Sequence, residues 1–338
     1  MPTLHLFNPE NDLALAANEP NYTPPAAALR LRKSGALLPM WWANEGDAIL
    51  VEDSSLAAEA LRLRSEFGLH GHIVTEAPAG FTPSPWGWSI YTRRLFSRAG
   101  IPENRLPDDN YIRTVRTLSH RRTTIHVHHL LGTPDHLVPI EAGSLEDAID
   151  AIDRFGRAVI KLPWSSSGRG ILYSADIPRD TLADYIRGII KRQGSAMIEP
   201  YYDRMRDFAA LFYSDKTTAS IAFRGLSLFA TDRRGFYTGN LIMTQPDISH
   251  AIGIDLTDTI ASLSQALGDV IAPHYNGWLG VDMLSHRSPD GSVQIAPCIE
   301  INLRRTMGIA ALHISHTLAK PGQSRILTVG RAGIQITE

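Results

Sequence analysis

The chain has 338 residues, 43% of them hydrophobic and 20% charged, which is typical of a soluble globular protein with room for two domains. Nucleic-acid-binding proteins usually carry a basic face, so the formal net charge of −2 predicts no nucleic-acid partner. The single cysteine, Cys298, excludes an intramolecular disulfide. With no signal-peptide pattern and no apolar run of spanning length, we expect a cytoplasmic protein without a membrane partner.

The first hundred residues alternate short apolar runs with helical segments. Strands are predicted over 3–7, 47–51 and 71–75, and helices over 54–66 and 89–99. This alternation predicts an open, mostly parallel α/β lobe, in which ligands bind beyond the carboxyl ends of the strands.

Polar side chains follow the first predicted strand. Asn8, Asn11 and Asp12 are therefore either substrate contacts or caps of the turn and the next helix, and capping is the commoner role. Trp86 and Trp88 either wall a pocket or pack between lobes. The polar stretch 107–110 predicts a domain boundary, with one domain over 1–110 and a second over 111–338.

The segment from 113 to 129 is basic and rich in histidine. His126, His128 and His129 resemble a metal-binding run, but no acidic or cysteine ligands lie nearby in the sequence. We therefore predict solvated histidines. Ser144 then caps a helix predicted over 145–155.

A strand over 158–162, a loop and a second strand over 171–173 form the next informative stretch. The loop contains Ser165, Ser166, Ser167, Gly168, Arg169 and Gly170. Small loop residues allow backbone N–H groups to approach phosphate oxygens, and Lys161 supplies a positive charge. The arrangement differs from a P-loop, whose lysine follows the final glycine. The alternative is an ordinary hairpin with a surface lysine.

The second half of the chain predicts an antiparallel sheet. Strands are predicted over 196–202, 207–213, 218–223 and 226–231, followed by a helix over 256–271 and by a hairpin of 277–284 with 293–304. We expect this hairpin to place Asp282 opposite Glu300.

The last strand of this hairpin alternates polar and apolar residues. Glu300, Asn302 and Arg304 should share one face, with Ile299, Ile301 and Leu303 on the other; Cys298 is most simply a small buried hydrophobe. Two carboxylates, an amide oxygen and a guanidinium together suit a hard cation and a phosphate. The alternative is an amphipathic strand with a solvated polar face.

Together, these motifs resemble the ATP-grasp superfamily over about residues 113–307. The matching pieces are 159–161 with 165–170, then 198–200, 280–282 and 300–304. The resemblance implies the class α/β (α+β): an ATP-grasp fold preceded by an open parallel α/β lobe. Within the second domain it implies a small nucleotide lobe over about 111–200 and a metal-binding lobe over about 201–338.

The resemblance also implies roles for individual residues. Lys161 is similar to the lysine that contacts phosphate, and Ser165 to Gly170 are similar to the loop that closes over ATP. Glu199 corresponds to the strand lining adenine, Asp207 to the acidic residue near the ribose, and Arg121 to an earlier nucleotide-binding lysine. The implied metal ligands are Asp282, Glu300 and Asn302, and the implied catalytic residues are Arg304 and Lys161.

The activity implied by the resemblance is a ligase that activates a carboxylate as an acylphosphate for attack by an amine. Its cofactors would be ATP and Mg²⁺, with two ions expected and Mn²⁺ as a substitute. Its partners would be a small carboxylate and an amine or peptide, and family members commonly form homodimers. The alternatives are a small-molecule kinase on the same scaffold and a non-catalytic nucleotide-binding module.

Overall fold

The computed structural model describes residues 1–165, 170–231 and 237–338, apart from the side chains of Thr231 and Tyr237. The described residues form three sheets, one parallel and two antiparallel. The predicted mixed α/β class is confirmed. None of the helices in the described part of the chain is long and apolar enough to cross a bilayer.

The first sheet is parallel throughout and has the strand order β3-β2-β1-β4. Its elements are β1 (Thr3–Leu6), α1 (Asn11–Ala17), α2 (Ala26–Ser34), β2 (Ala48–Leu50), α3 (Ala57–Phe67), β3 (His72–Val74), β4 (Thr82–Pro85) and α4 (Ile90–Arg98). The sequence did not predict α2 or β4. Strand β4 contains two prolines, which a sheet tolerates at its edge because proline lacks an N–H donor.

The second sheet is antiparallel, with the strand order β5-β8-β6-β7. This part of the chain comprises α5 (Asp109–Leu118), α6 (Thr123–Leu130), β5 (Ile140–Ala142), α7 (Leu145–Phe155), β6 (Ala158–Lys161), β7 (Leu172–Tyr173), α8 (Arg179–Gln193) and β8 (Ala196–Pro200). Helix α7 begins where predicted, because the Ser144 hydroxyl accepts the Asp147 N–H at 3.1 Å. The apolar faces of α7 and α8 pack on this sheet.

The third sheet has seven strands in the order β13-β12-β9-β10-β11-β14-β15. Its elements are β9 (Asp203–Asp215), β10 (Ser220–Thr231), β11 (Tyr237–Ile242), α9 (Gln245–Ile252), α10 (Thr257–Val270), β12 (Gly277–Arg287), β13 (Val293–Asn302), α11 (Met307–Leu318), β14 (Arg325–Gly330) and β15 (Gly333–Thr337). The two strands predicted over 218–231 are one strand, β10, whose register shifts between Phe223 and Gly225.

Two hydrophobic clusters connect the segments. The largest lies between the third sheet and the helices α9 and α10. Another joins Phe7 and Trp86 of the N-terminal segment to Ile314 and Leu327 near the C-terminus. Trp86 is therefore a packing residue between distant parts of the chain. The predicted division at residue 110 stays a prediction.

The histidine prediction was wrong at one position. His126 and His129 are exposed, but His128 is 2% exposed, and its Nε2 lies 2.9 Å from the Cys298 carbonyl oxygen. Cys298 is fully buried, as predicted, and burial raises the pKa of its thiol. In this environment the cysteine is an unreactive side chain of the hydrophobic core.

Candidate functional site

The β12–β13 hairpin places two carboxylates directly opposite each other, as the sequence predicts. Asp282 pairs with Glu300, and Gly280 pairs with Asn302. The Asn302 amide nitrogen donates to Asp282 Oδ2 at 3.3 Å. All three polar groups therefore lie at one place on the third sheet.

The register of this hairpin shifts just beyond the two carboxylates. Residues 297–299 lie opposite Met283 alone, because the partner of Leu284 is Ala296. Ile301 and Leu303 face the core as predicted, but Ile299 is only half-buried and does not join that cluster. Strict alternation therefore holds only from Glu300 onward.

Burial and mutual repulsion affect the two carboxyl groups differently. Burial, together with the nearby Glu300 charge, raises the pKa of Asp282 to about 7. Burial opposes ionisation of Glu300 as well, but Arg121 outweighs it and holds the pKa of Glu300 below its ordinary value. The site therefore gathers negative charge that nearby cations, Arg121 foremost, compensate in part.

Arg121 connects the third sheet to the loop after β6. Its guanidinium is buried, with Nη1 2.8 Å from Glu300 Oε2 and Nη2 donating to Ser165 Oγ at 2.9 Å. Its Nε donates to the Leu162 carbonyl oxygen at 2.9 Å. A guanidinium is needed for these three directions, which a single ammonium group cannot reproduce.

Lys161 and Glu199 form a second buried pair on the second sheet. Val159 is paired with Glu199 across β6 and β8, so Lys161 lies diagonal to Glu199 on the same face. Lys161 Nζ donates to Glu199 Oε2 at 2.5 Å, and both residues are 5% exposed. The Lys161 charge also contributes to lowering the pKa of Glu300, after that of Arg121. The structure therefore brings the two sheets together around these groups.

Both ends of the predicted phosphate loop are held in place. Ser165 is buried against Arg121, and Trp164 at the loop entrance bonds through its backbone to the Gln193 amide at 3.0 and 3.1 Å. Gly170 has φ +75°, and a Cβ there would lie 2.1 Å from Leu162 Cδ1, so glycine is required. Ser166, Ser167, Gly168 and Arg169 lie outside the described residues.

Arg304 lies just after β13, and Asp12 of α1 is its partner. Arg304 Nε is 2.9 Å from Asp12 Oδ1, and Nη2 is 2.6 Å from Asp12 Oδ2. Nη2 also donates to the Asn302 amide oxygen at 2.8 Å. Asp12 therefore supports the site through Arg304, a role that the sequence left open between substrate contact and helix cap.

Of the other residues considered as ligand contacts, Asp207 has a nearby cation, whereas two asparagines are buried. Burial raises the pKa of Asp207, whose Oδ2 lies 3.1 Å from Arg204 Nη1. Asn8, by contrast, is fully buried and donates to Gly87 O and Thr92 Oγ1 at 2.9 and 3.0 Å. Asn8 therefore holds the N-terminal segment together and does not face a ligand. Asn240 is also buried, and it donates to Ser227 Oγ at 2.9 Å.

The residues present fit a hard cation only in part. No group of three or more His, Cys, Asp or Glu side chains with metal-ligand geometry occurs among the described residues. Asp282, Glu300 and the Asn302 amide oxygen supply oxygen donors of the kind that Mg²⁺ accepts with water and phosphate completing its shell. The raised pKa of Asp282 indicates an acidic pair that a cation would stabilise.

Comparison with solved structures shows the fold. The match to biotin carboxylase from Campylobacter jejuni has a TM-score of 0.50 at 14% identity and covers 99% of this chain and 74% of that chain. N5-carboxyaminoimidazole synthetase from Staphylococcus aureus matches with a TM-score of 0.49, 11% identity and coverage of 96% and 80%. The chain has the ATP-grasp fold.

Sequence identity to these solved structures is low. D-alanyl-alanine synthetase A from Vibrio cholerae O1 is a further structural match, with a TM-score of 0.45 and 13% identity over 95% of each chain. No protein-family model and no curated protein matches the sequence.

Proposed function

We propose that the protein is an ATP- and Mg²⁺-dependent ligase that joins a small carboxylate to an amine. The observation that carries the proposal is the cross-strand pair Asp282–Glu300, with Asn302 beside it and the cations Arg121, Lys161 and Arg304 around it. Opposed carboxylates and nearby cations suit a metal-bound polyphosphate better than any nucleophilic side-chain mechanism.

In this proposal Asp282, Glu300 and Asn302 hold Mg²⁺, which when bound neutralises charge on the phosphoryl group that is transferred. For this the Asn302 amide oxygen, which now accepts from Arg304, must turn toward the ion. Lys161 and Arg121 bind phosphate oxygens. Glu199 and Asp207 lie on the nucleoside side.

The reaction has two steps. A substrate carboxylate oxygen attacks the γ-phosphorus of ATP, the bond from that phosphorus to the β,γ-bridging oxygen breaks, and ADP leaves. An amine then attacks the acyl carbon, the acyl carbon–oxygen bond to phosphate breaks, and the amine nitrogen loses a proton. Arg304, held by Asp12, steadies the negative oxygens in both steps.

Calorimetric titration with a non-hydrolysable ATP analogue, with and without Mg²⁺, tests the nucleotide site. We expect magnesium-dependent binding that weakens in Glu300→Ala and is unchanged in Glu146→Ala, an exposed glutamate on α7. Absence of binding under both conditions contradicts the proposal. Loss of the cooperative thermal transition in Glu300→Ala would show that Glu300 is structural.

Hydroxylamine trapping tests the reaction type. A carboxylate substrate, ATP and Mg²⁺ in the presence of hydroxylamine should yield a hydroxamate, because hydroxylamine captures an acylphosphate. A base-stable phosphorylated product would instead identify a kinase on the same fold.

A further inference from the structure

Arg305 is partly buried and, unlike three other buried or partly buried arginines, has no acidic partner among the described residues. Arg32 pairs with Glu10, Arg121 with Glu300 and Arg304 with Asp12. Within the described part of the chain, no carboxylate lies within ion-pair distance of Arg305, and its buried Nη1 has no hydrogen-bond acceptor. An enclosed cation without a counter-ion is costly unless something else compensates it.

Aromatic rings surround the Arg305 guanidinium. Its Cζ lies 4.8 Å from the ring centroid of Trp42 and 5.9 Å from that of Trp278. The His313 ring is 5.5 Å from Trp42 and 5.0 Å from Trp278. We call these four residues the Arg305 cluster. Cation–π contacts provide part of the compensation for the charge.

The same cluster contains three enclosed nitrogen atoms that lack partners: Arg305 Nη1, Trp42 Nε1 and His313 Nε2. An indole and a guanidinium only donate hydrogen bonds, so Trp42 Nε1 and Arg305 Nη1 lack an acceptor, whereas Nε2 of the neutral His313 ring donates or accepts according to its tautomer. An unsatisfied buried donor is destabilising. Two donors without acceptors in one cluster, one of them on a cation, point to a missing group that accepts hydrogen bonds and carries negative charge.

The charged and titratable groups facing the cluster are His5, His316, Tyr213 and Tyr275. His5 is itself paired with an acid, since Asp47 Oδ2 lies 3.2 Å from His5 Nε2. Burial lowers the pKa of His313 to about 3, so this ring is neutral. The positive charge at the cluster is therefore that of Arg305.

The backbone fixes where Arg305 lies. It follows Arg304 directly, and its N–H donates to the Trp86 carbonyl oxygen at 2.8 Å. Arg304 and Arg305 therefore leave the carboxyl end of β13 together, one paired with Asp12 and one without an acidic partner. Arg305 is thus one residue along the chain from Arg304, which contacts Asn302 of the candidate site.

We propose that the Arg305 cluster binds a carboxylate group of a small organic substrate whose adjoining portion is apolar and flat. The two carboxylate oxygens accept from Arg305 Nη1 and Trp42 Nε1, and the apolar portion packs on the indole rings of Trp42 and Trp278. Identifying this molecule as a substrate rests on the proposed ligase function. The anion site itself does not.

Calorimetric titration without nucleotide or metal tests the site directly. The probes are acetate, phenylacetate and 3-phenylpropionate, with phenylacetamide as the neutral analogue. We expect the wild-type protein to bind an aromatic acid at least tenfold more tightly than the amide and more tightly than acetate. Arg305→Met should abolish the preference for acid over amide, whereas Arg179→Met, which changes an exposed arginine on α8, should retain it.

Thermal denaturation separates a binding role from a structural role. Without ligand, Arg305→Met should melt at the wild-type temperature or above it, because methionine replaces an unpaired enclosed charge by an apolar group. Phenylacetate should raise the melting temperature of the wild-type protein and not that of the variant. A clear fall in the melting temperature of ligand-free Arg305→Met overturns the proposal.

Two further results would also overturn it: no aromatic acid binds more tightly than the amide, or Arg305→Met keeps the preference. Failure of the ATP analogue to bind, with acid binding intact, contradicts the ligase function and leaves the anion site standing. The reverse outcome removes the anion site alone.

Discussion

Asp12 and Arg304 form a two-point ion pair although 292 positions of the chain separate them. The pair connects α1, after the first parallel strand, to the end of the β13 strand that carries Glu300 and Asn302. The side chains are only 14% and 13% exposed, so the pair is shielded from water. It holds the N-terminal segment against the candidate site.

Breaking this pair should be costly. Asp12→Asn should lower the free energy of unfolding by about 3 kcal/mol, because it leaves the Arg304 charge enclosed without its counter-ion. Chemical denaturation measures this loss. Asp53→Asn is the control, since the Asp53–Lys33 pair at 3.1 Å is exposed and should contribute little. An equal loss in both variants would show that the Asp12–Arg304 pair stabilises the fold no more than an exposed pair does.

Gly87 should not tolerate a side chain. A Cβ there would lie 2.5 Å from Asn11 Nδ2 and 3.0 Å from Arg304 Cβ, so Gly87→Ala must displace the residues that position Arg304. We expect destabilisation of about 1 to 3 kcal/mol by denaturant titration. Gly143→Ala, whose Cβ would meet no atom within 4 Å, is the matched control. Equal stability of the two variants would contradict the expected clash.

The buried histidines should make the fold sensitive to acid. Burial lowers the pKa of His5 and His128 to about 4, and that of His120 and His313 to about 3. Between those values and 6.5 the unfolded histidines bind more protons than the folded ones, so the contribution of these four residues to stability should be complete above about pH 6.5 and fall as the pH decreases. The slope for each group is roughly one kcal/mol per pH unit.

Two variants test whether His128 causes part of this acid sensitivity. Melting temperatures measured from pH 7.5 to pH 4.5 should depend less on pH in His128→Gln than in the wild-type protein. The exposed neighbour serves as control, and His126→Gln should keep the wild-type dependence. Parallel curves for all three proteins would mean that His128 does not contribute.

Lys161 should matter for nucleotide binding. Lys161→Met should weaken binding of the ATP analogue by about tenfold or more, the size of one charge-assisted hydrogen bond. Because this change also leaves Glu199 without its partner, the double variant Lys161→Met with Glu199→Gln separates lost binding from lost stability. Lys191→Met, on the exposed side of α8, is the control. Unchanged affinity in Lys161→Met would remove this lysine from the proposed site.

The sequence by itself determined the features that depend on local periodicity and turn chemistry. Helix α7 has the predicted bounds, 145–155, and Asp282 lies opposite Glu300 because a hairpin places its two strands in antiparallel register. Alternation along β13 correctly assigned Ile301 and Leu303 to the core. It failed at Ile299, where residues 297–299 lie opposite one residue of β12, an irregularity that periodicity does not report.

Only the tertiary structure decided which distant side chains meet. Whether Asp12 capped a helix or faced a ligand depended on Arg304, and the position of Arg305 among aromatic rings depended on Trp42 and Trp278 from two other parts of the chain. Such contacts arise when separate sheets pack together. The sequence does not show which residues make these contacts. The number of residues between two contacting side chains depends on the length of the chain between their elements, whereas periodicity reports only the geometry within one helix or strand.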